Sequence, residues 1–382
     1  MHTRKLFYED CNLSRFTANV LSCCQEGSLY AVILDATAFY PEGGGQACDI
    51  GTLSDSKVLD VQERDGQVVH FCDSALEVGA QVEGVVDYAR RFDLMQQHTG
   101  EHILSGILNR RYGCQNTGFH VGTDVMEVDF DVVVPPEDLP AIELEANQAV
   151  WANVALRCWY PTPEELPNVV YRTKRALPWP VRIVQIPGYD SCACCGIHVA
   201  MTGQMGLIKI ISCVKLRGGV RMEVACGARA YRYVAAVCEQ NRQVSQAFSA
   251  KPLETGNAAV KMNELLAAEK YRANTLLGKV FDGIAQGYAG SADILHICAD
   301  ALESSQVRSL AERISAVTVG CAAVFAPKEG GYNYCLASAE GDLVAMGKEM
   351  TAALNGRGGG KPNFQQGSVC ASEAEIRAFF EK

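Results

Sequence analysis

The sequence has no long apolar run. The longest, Val317–Pro327, falls well short of the ~18–20 residues that cross a bilayer, so a spanning helix is excluded. The stretch Met1–Tyr8 mixes His, Arg and Lys with few apolar residues and lacks the apolar core of a signal peptide. The expectation is a soluble, cytoplasmic protein. Basic charge is also scarce: 34 Lys and Arg stand against 44 Asp and Glu, for a net charge of −10. Affinity for a polyanion comes largely from phosphate neutralisation, so a general nucleic-acid binder is disfavoured and RNA would have to meet local basic patches. There is no Gly-x-Ser-x-Gly elbow and no Cys/His pair apart from the cysteine cluster described below, which leaves a covalent acyl-enzyme unsupported. No internal repeat or low-complexity tract is found.

Cysteine, by contrast, is abundant. Most of the 17 copies are scattered, as suits reduced thiols in a cytosol rather than a disulfide framework. The exception is Cys192, Cys194 and Cys195, closely followed by His198. With 48% hydrophobic and 20% charged residues the chain can bury a substantial core, and its 382 residues suit two or three domains.

The expected fold class is α+β. Residues 1–90 read as a small β-barrel, from Val- and Ile-rich segments at Tyr30–Leu34, Val58–Val61, Val68–Cys72 and Val82–Asp87 separated by turn-prone stretches such as Glu63–Gly66. Within it, Thr37–Gln46 carries three consecutive glycines, whose backbone can turn freely or approach a ligand closely. Residues 91–227 read as an α+β block. It holds a helix from an N-cap at Asp93 to about Arg111, a strand or hairpin over Phe119–Phe130 and a helix over Pro136–Asn153, with strands at Arg182–Ile186, Leu207–Val214 and Val220–Val224. Residues 228–288 read as a helical linker of two helices divided near Pro252. Residues 289–382 read as a C-terminal α/β domain, with Gly358–Gly360 forming a turn or a phosphate-facing loop after a helix.

His98 and His102 lie four apart on the first of these helices, so both imidazoles share one face and can reach a single ion. About a hundred residues later, the Asp190–His198 segment supplies thiolate and imidazole at short spacing. Two histidines from one element with Cys and His from another make a mixed nitrogen and sulfur set that favours zinc over magnesium or calcium. Four protein ligands would close a tetrahedral site, whereas hydrolytic zinc needs an open position, so ligand counting finds the ion and leaves catalysis open. His120 is a further neighbour in sequence, read as a packing residue.

These residues carry a resemblance. The pair His98-Thr-Gly-Glu-His102 and Cys194-Cys-Gly-Ile-His198-Val resembles the zinc signature of the editing domain of alanyl-tRNA synthetases. Phe39-Tyr-Pro-Glu-Gly-Gly-Gly-Gln-Ala-Cys-Asp49, Thr202-Gly-Gln-Met-Gly206 and the Gly358–Gly367 segment resemble further stretches of the same family. The order agrees along nearly the whole chain, and no room is left for an aminoacylation domain. The sequence is therefore similar to the free-standing editing proteins called AlaX, in their long form. The resemblance implies a zinc-binding editing domain over 91–227, with one Zn2+ on His98, His102, Cys194 and His198. The spacing selects Cys194, with Cys192 or Cys195 as the alternative ligand. It implies hydrolysis of tRNA(Ala) mischarged with serine or glycine, and it allows a homodimer through the C-terminal region.

The substrate would be an aminoacyl ester, for which positioning and polarising water suffices. Glu42, in the glycine loop, is the candidate polar group near the substrate, and Thr37 the candidate partner for a serine hydroxyl, with Gln46 and Asn116 as alternatives. Glu101 is expected on another helix face, in solvent. Lys215, Arg217 and Arg221 are the favoured tRNA contacts, with Arg357 and Lys361 flanking the C-terminal glycines Gly358, Gly359 and Gly360. Arg90–Arg91, Arg110–Arg111 and Arg172/Lys174/Arg175 are further basic groups. Two rival readings remain: a non-catalytic RNA-binding protein with a structural zinc, and a zinc hydrolase of small esters.

Overall fold

Along Arg15–Glu26 the residues Phe16, Ala18 and Val20 are buried while Arg15, Thr17 and Asn19 face water, the period of two that marks a half-buried strand. This strand, absent from the expected set, begins a closed six-stranded barrel completed by Leu29–Leu34, Gln67–Cys72, Ser56–Arg64, Gly51–Leu53 and Gln81–Val86. Its interior is filled by Val20, Val32, Leu34, Leu53, Val58, Val61 and Val68. Asp65 and Gly66, both at positive φ, make the tight turn between two of its strands.

The protein, a computed structural model, is described over residues 2–173, 177 and 179–381. These form two compact units, Met1–Gln243 and Val244–Lys382. In the first unit a long helix, Tyr88–Tyr112, leaves the barrel. It begins before the expected Asp93, because the Asp87 carboxylate accepts from Arg90 N and caps it, and it ends on Gly113 in the left-handed conformation. The helix is buried almost all round from Leu94 to Leu108. Two glycines make that possible: a Cβ at Gly100 would stand 2.2 Å from Cys226 Sγ, and one at Gly106 would stand 2.2 Å from the Tyr189 carbonyl.

Around this central helix lie two sheets and the helix Leu139–Ala152. One antiparallel sheet runs in the order Ile208–Leu216, Gly219–Cys226, Met126–Phe130, Asn116–Val121. The other holds Arg157–Trp159, Ile183–Ile186 and Asp190–Ala193. The central helix therefore has one end anchored at the barrel and its middle facing the strand that carries the cysteine cluster.

The two helices expected across 228–288 are Gly227–Phe248 and Thr255–Gln286. The second ends in the C-terminal core, where Phe281 and Ala285 pack against Val307, Leu310 and Ile314, so that end is a structural layer and not a linker. The C-terminal sheet has the order Ile294–Ile297, Cys321–Lys328, Gly331–Ser338, Phe364–Val369, Gly356–Lys361. Alternate residues of its central strands face opposite sides: Ala322, Val324 and Ala326 meet the Ser304–Ser315 helix, while Cys321, Ala323 and Phe325 pack with Leu343, Met350 and Ile376. The glycine run at 358–360 is neither turn nor loop. It lies in the edge strand Gly356–Lys361, paired with Phe364–Val369. A Cβ at Gly358 would stand 2.1 Å from Tyr334 Oη, and one at Gly360 would stand 2.1 Å from the Phe364 carbonyl.

Candidate metal centre

The central helix presents His98 and His102 one turn apart, with ring centroids 5.3 Å from each other. The segment after the Asp190–Ala193 strand brings His198 to 4.5 Å from His98 and 4.6 Å from His102, ring to ring. Cys194 Sγ lies 3.4 Å from His98 Nε2. One donor atom from each of His98, His102, Cys194 and His198 falls within 4.8 Å of every other. Gly196 permits this convergence, since a Cβ there would stand 2.1 Å from His98 Cε1.

The hydrogen bonds behind the rings orient them. His98 Nδ1 donates to Gln46 Oε1 at 2.9 Å, and His102 Nδ1 donates to Asp190 Oδ2 at 3.0 Å. His198 Nδ1 lies 3.3 Å from Thr99 Oγ1. Each ring is thus held from its Nδ1 side and turns Nε2 inward, the arrangement that fixes imidazole ligands. His198 Nε2 is buried and has no hydrogen-bond partner among the described residues. Burial alone would raise the Cys194 thiol, but the surrounding imidazoles outweigh it and hold it well below the ordinary value, which favours thiolate. Three inward imidazole nitrogens, one of them orphaned, and a thiolate fit a tetrahedral zinc. Asp190 is itself tied down: Arg172 donates to both its oxygens at 2.7 and 2.9 Å. Burial raises its pKa, while His102 and Arg172 together bring it below the usual carboxylate range.

Cys192 stands beside His102 and Asp190 in a second, overlapping group, and Cys195 faces the glycine loop, where a Cβ on Gly44 would stand 3.0 Å from its sulfur. Of the three neighbouring cysteines, Cys194 is the one that joins the three imidazoles.

His98, His102 and Cys194 line a cleft of about 600 Å³ together with Glu101, Asn116, Phe119, Tyr8, Tyr160 and Arg182. Glu101 is a correction to the sequence reading. It is 6% exposed, with Oε1 accepting from Ser105 Oγ at 2.5 Å and from Asn116 Nδ2, and Oε2 lies 3.8 Å from His102 Nε2. Helical spacing put it on another face, but a helix buried all round has no solvent face at this level. Asn116 lines the cleft. Gln46 is buried behind His98, with its Oε1 taken up by the His98 ring.

Thr37 does not reach the cleft. Its hydroxyl lies 2.8 Å from His70 Nε2 inside the barrel and accepts from Phe39 N at 3.0 Å. Glu42 is exposed on the outer side of the glycine loop, 3.2 Å from Gln62 Nε2. His120 is exposed and outside the donor set. Lys215 and Arg217 are exposed at a hairpin tip, whereas Arg221 is bound to both oxygens of Asp129 and to Glu127. Arg357 and Lys361 are exposed on the C-terminal edge strand. Arg91 is no surface cation: it is fully buried, bonded to Asp49 and to the Leu13 and Ala38 carbonyls, and it joins the central helix to the glycine loop. Arg110 and Arg111 both pair with Glu145. Lys174 and Arg175 lie outside the described residues. Arg172, read as one of the basic groups, is instead paired with Asp190, and the roles of Asp190 and Tyr8 were missed because their signal exists only in three dimensions.

The family described as class II (A) tRNA synthetases matches residues 3–90, and the threonyl and alanyl tRNA synthetase second additional domain matches residues 181–221, which contains Cys194 and His198. An alanine–tRNA ligase from Ignicoccus hospitalis is 29% identical over 398 residues, covering 100% of this chain and 42% of its own length. This chain thus spans less than half of that ligase. The alanyl-tRNA editing protein Aarsd1 of Danio rerio is 26% identical over 397 residues, covering 98% of this chain and 96% of its own. The C-Ala domain from Aquifex aeolicus alanyl-tRNA synthetase covers 24% of this chain and 92% of its own, at 17% identity and a TM-score of 0.21. Along nearly its whole length, the chain resembles the free-standing alanyl-tRNA editing proteins. Among the described residues no helix is long and apolar enough to cross a membrane.

Proposed function

We propose that this chain is a cytoplasmic trans-editing hydrolase that deacylates mischarged tRNA(Ala), with Ser-tRNA(Ala) the leading substrate and Gly-tRNA(Ala) the second. The observation that carries the reading is that three of the four converging donors, His98, His102 and Cys194, line an open cleft beside a buried carboxylate. A structural zinc would have no need of such access.

His98, His102, Cys194 and His198 would hold a zinc ion, which, when bound with a position open through a fifth ligand or a displaced donor, would supply Lewis-acid polarisation. The chain's own residues do the rest. Ser105 and Asn116 hold Glu101 Oε1, which leaves Oε2 turned toward the donors to take the proton of the attacking water. That proton then passes to the departing ribose hydroxyl. Asn116 and Glu101 also offer buried polar partners to a serine hydroxyl. Such a site rejects an analogue lacking the hydroxyl far more strongly than an apolar pocket rejects one that has it, so alanine is left on its tRNA and glycine, which also lacks the hydroxyl, is the poorer substrate. Lys215 and Arg217, and on the other unit Arg357 and Lys361 beside Gly358–Gly360, are the exposed cations for the tRNA backbone. A homodimer through the C-terminal unit is compatible with this reading.

The test is release of serine from Ser-tRNA(Ala) by protein loaded with zinc and protein stripped of it. Loss on stripping and recovery on reloading are expected. Full activity without zinc would leave the non-catalytic metal reading, or another hydrolytic centre, in its place.

A further inference from the structure

The cleft beside the metal centre has more in it than an ester needs. Two tyrosines in an edge-to-face pair line it, Tyr8 and Tyr160, with ring centroids 6.5 Å apart. They differ in how they are engaged. Tyr8 donates to the Cys195 carbonyl at 2.6 Å, and one face of its ring carries the Arg182 guanidinium at 4.5 Å. Tyr160 is 50% exposed. Arg182 donates to the Cys194 and Gly196 carbonyls at 2.9 and 2.7 Å, on either side of Cys195, and among the described residues it has no carboxylate partner. Lys5 and Glu63, which line the same cleft, pair with each other at 2.7 Å, so no carboxylate is bonded to Arg182 there.

These features match, part for part, the end of an aminoacylated RNA. The metal donors and Glu101 meet the ester, a guanidinium bonded to no carboxylate suits a phosphate, and an exposed ring backed by a second ring suits a base. All three line one cavity of about 600 Å³, within the range that takes a nucleotide-sized ligand. We propose that Tyr160, held upright by Tyr8, is the stacking platform for the terminal nucleobase, and that Arg182 binds that nucleotide's phosphate while fixing the loop that carries Cys194. The inference rests on the deacylase reading for the ester's presence in the cleft. It goes beyond that reading by assigning the nucleotide subsite. Stacking tolerates any base, so this subsite sets the substrate's position and not its sequence.

Two measurements on the full-length, zinc-loaded chain test it. In steady-state deacylation of Ser-tRNA(Ala), Tyr160→Ala is expected to raise KM roughly ten- to a hundred-fold, the usual effect of removing one stacked ring, while kcat falls far less. Tyr160→Phe should restore KM, because a ring and not a hydroxyl is required. In calorimetric titration with adenosine 5′-monophosphate as probe, the wild type and Tyr160→Phe should bind and Tyr160→Ala should not. An unmoved KM in Tyr160→Ala, a Phe variant as impaired as the Ala variant, or unchanged mononucleotide binding without the ring would each overturn the platform. The two proposals fail separately. Tyr160-dependent nucleotide binding with no serine release would sink the deacylase reading alone, and serine release indifferent to Tyr160 would sink the platform alone.

Discussion

Two runs of three glycines occur in this chain, and they do opposite things. Gly43–Gly45 is a true loop, with Gly44 and Gly45 at φ +61° and +81°, pressed over the cysteine cluster and Phe119. Gly358–Gly360 is an exposed edge strand, hydrogen-bonded to one neighbour only. In the first, glycine is required by backbone conformation and by contact with the metal site. In the second it is required at two positions by close neighbours and at the middle one by nothing nearby. Identical sequence signals therefore need their surroundings before they mean anything, and the same holds for the units in which they stand.

Substitutions that empty the first unit's site should have the largest effect. His98→Ala or Cys194→Ala removes a metal donor, and we expect zinc content to fall and deacylation to drop by about a thousand-fold or more, while the C-terminal unit keeps its stability. Metal analysis and serine release check this. Zinc retained at full occupancy in both variants would dissolve the contrast between the units.

The barrel beneath the glycine loop carries a pH signature. His70 is fully buried between Thr37 Oγ1 and the Val32 carbonyl, and burial pushes its pKa from 6.5 down to about 4. The unfolded chain therefore binds a proton between these values that the folded chain refuses. The stability tied to neutral His70 is complete above pH 6.5 and is lost as pH falls toward 4, by roughly 3 kcal/mol at most. Urea unfolding across that window should show the loss, and His70→Gln should flatten it. A slope unaltered by the substitution would place the acid sensitivity elsewhere.

Next in size is Gly45→Ala. Its Cβ would stand 2.6 Å from Phe119 Cδ1, and the Phe119 ring packs 5.2 Å from His98. Left-handed strain and the clash together should cost about 2–3 kcal/mol and displace the ring that backs a metal donor. Gln46→Ala acts at the same place without strain. It deprives His98 Nδ1 of its acceptor and should weaken zinc binding about 10- to 100-fold, read by competition with a chelator.

The convergence of His98 and His102 was legible in the sequence because a helix imposes its own geometry: histidines four apart must share a face. The second helix, its end at Asn153, and the hairpin turn at Gly66 were legible for the same local reason. What escaped was set by packing. Glu101 was assigned to solvent by the same helical spacing that found His98 and His102, because spacing gives relative angle and not which sides are covered. Arg91 read as a surface cation until its pairing with Asp49 appeared, a contact 42 positions away. Thr37 was placed by proximity in sequence to the glycine loop, but its hydroxyl turns into the barrel, to His70 and the Phe39 N–H. The glycines at 358–360 looked like a loop because a strand without side chains has no hydrophobic period to detect.

The smallest effect expected is at Gly359, and it bears most directly on the two glycine runs. A Cβ at this position meets nothing within 4 Å, and its φ is not left-handed. Gly359→Ala should therefore raise stability by about 0.4–1 kcal/mol, since alanine narrows the unfolded chain without straining the folded one. If, as proposed, Arg357 and Lys361 meet the tRNA backbone, Gly359 between them on the exposed edge gives that backbone room for close approach. The same variant should then raise KM for Ser-tRNA(Ala) a few-fold while zinc content and kcat stay put. Higher stability with an unchanged KM would mean that Gly359 serves neither folding nor RNA, and only the loop at 43–45 would remain as a functional glycine run.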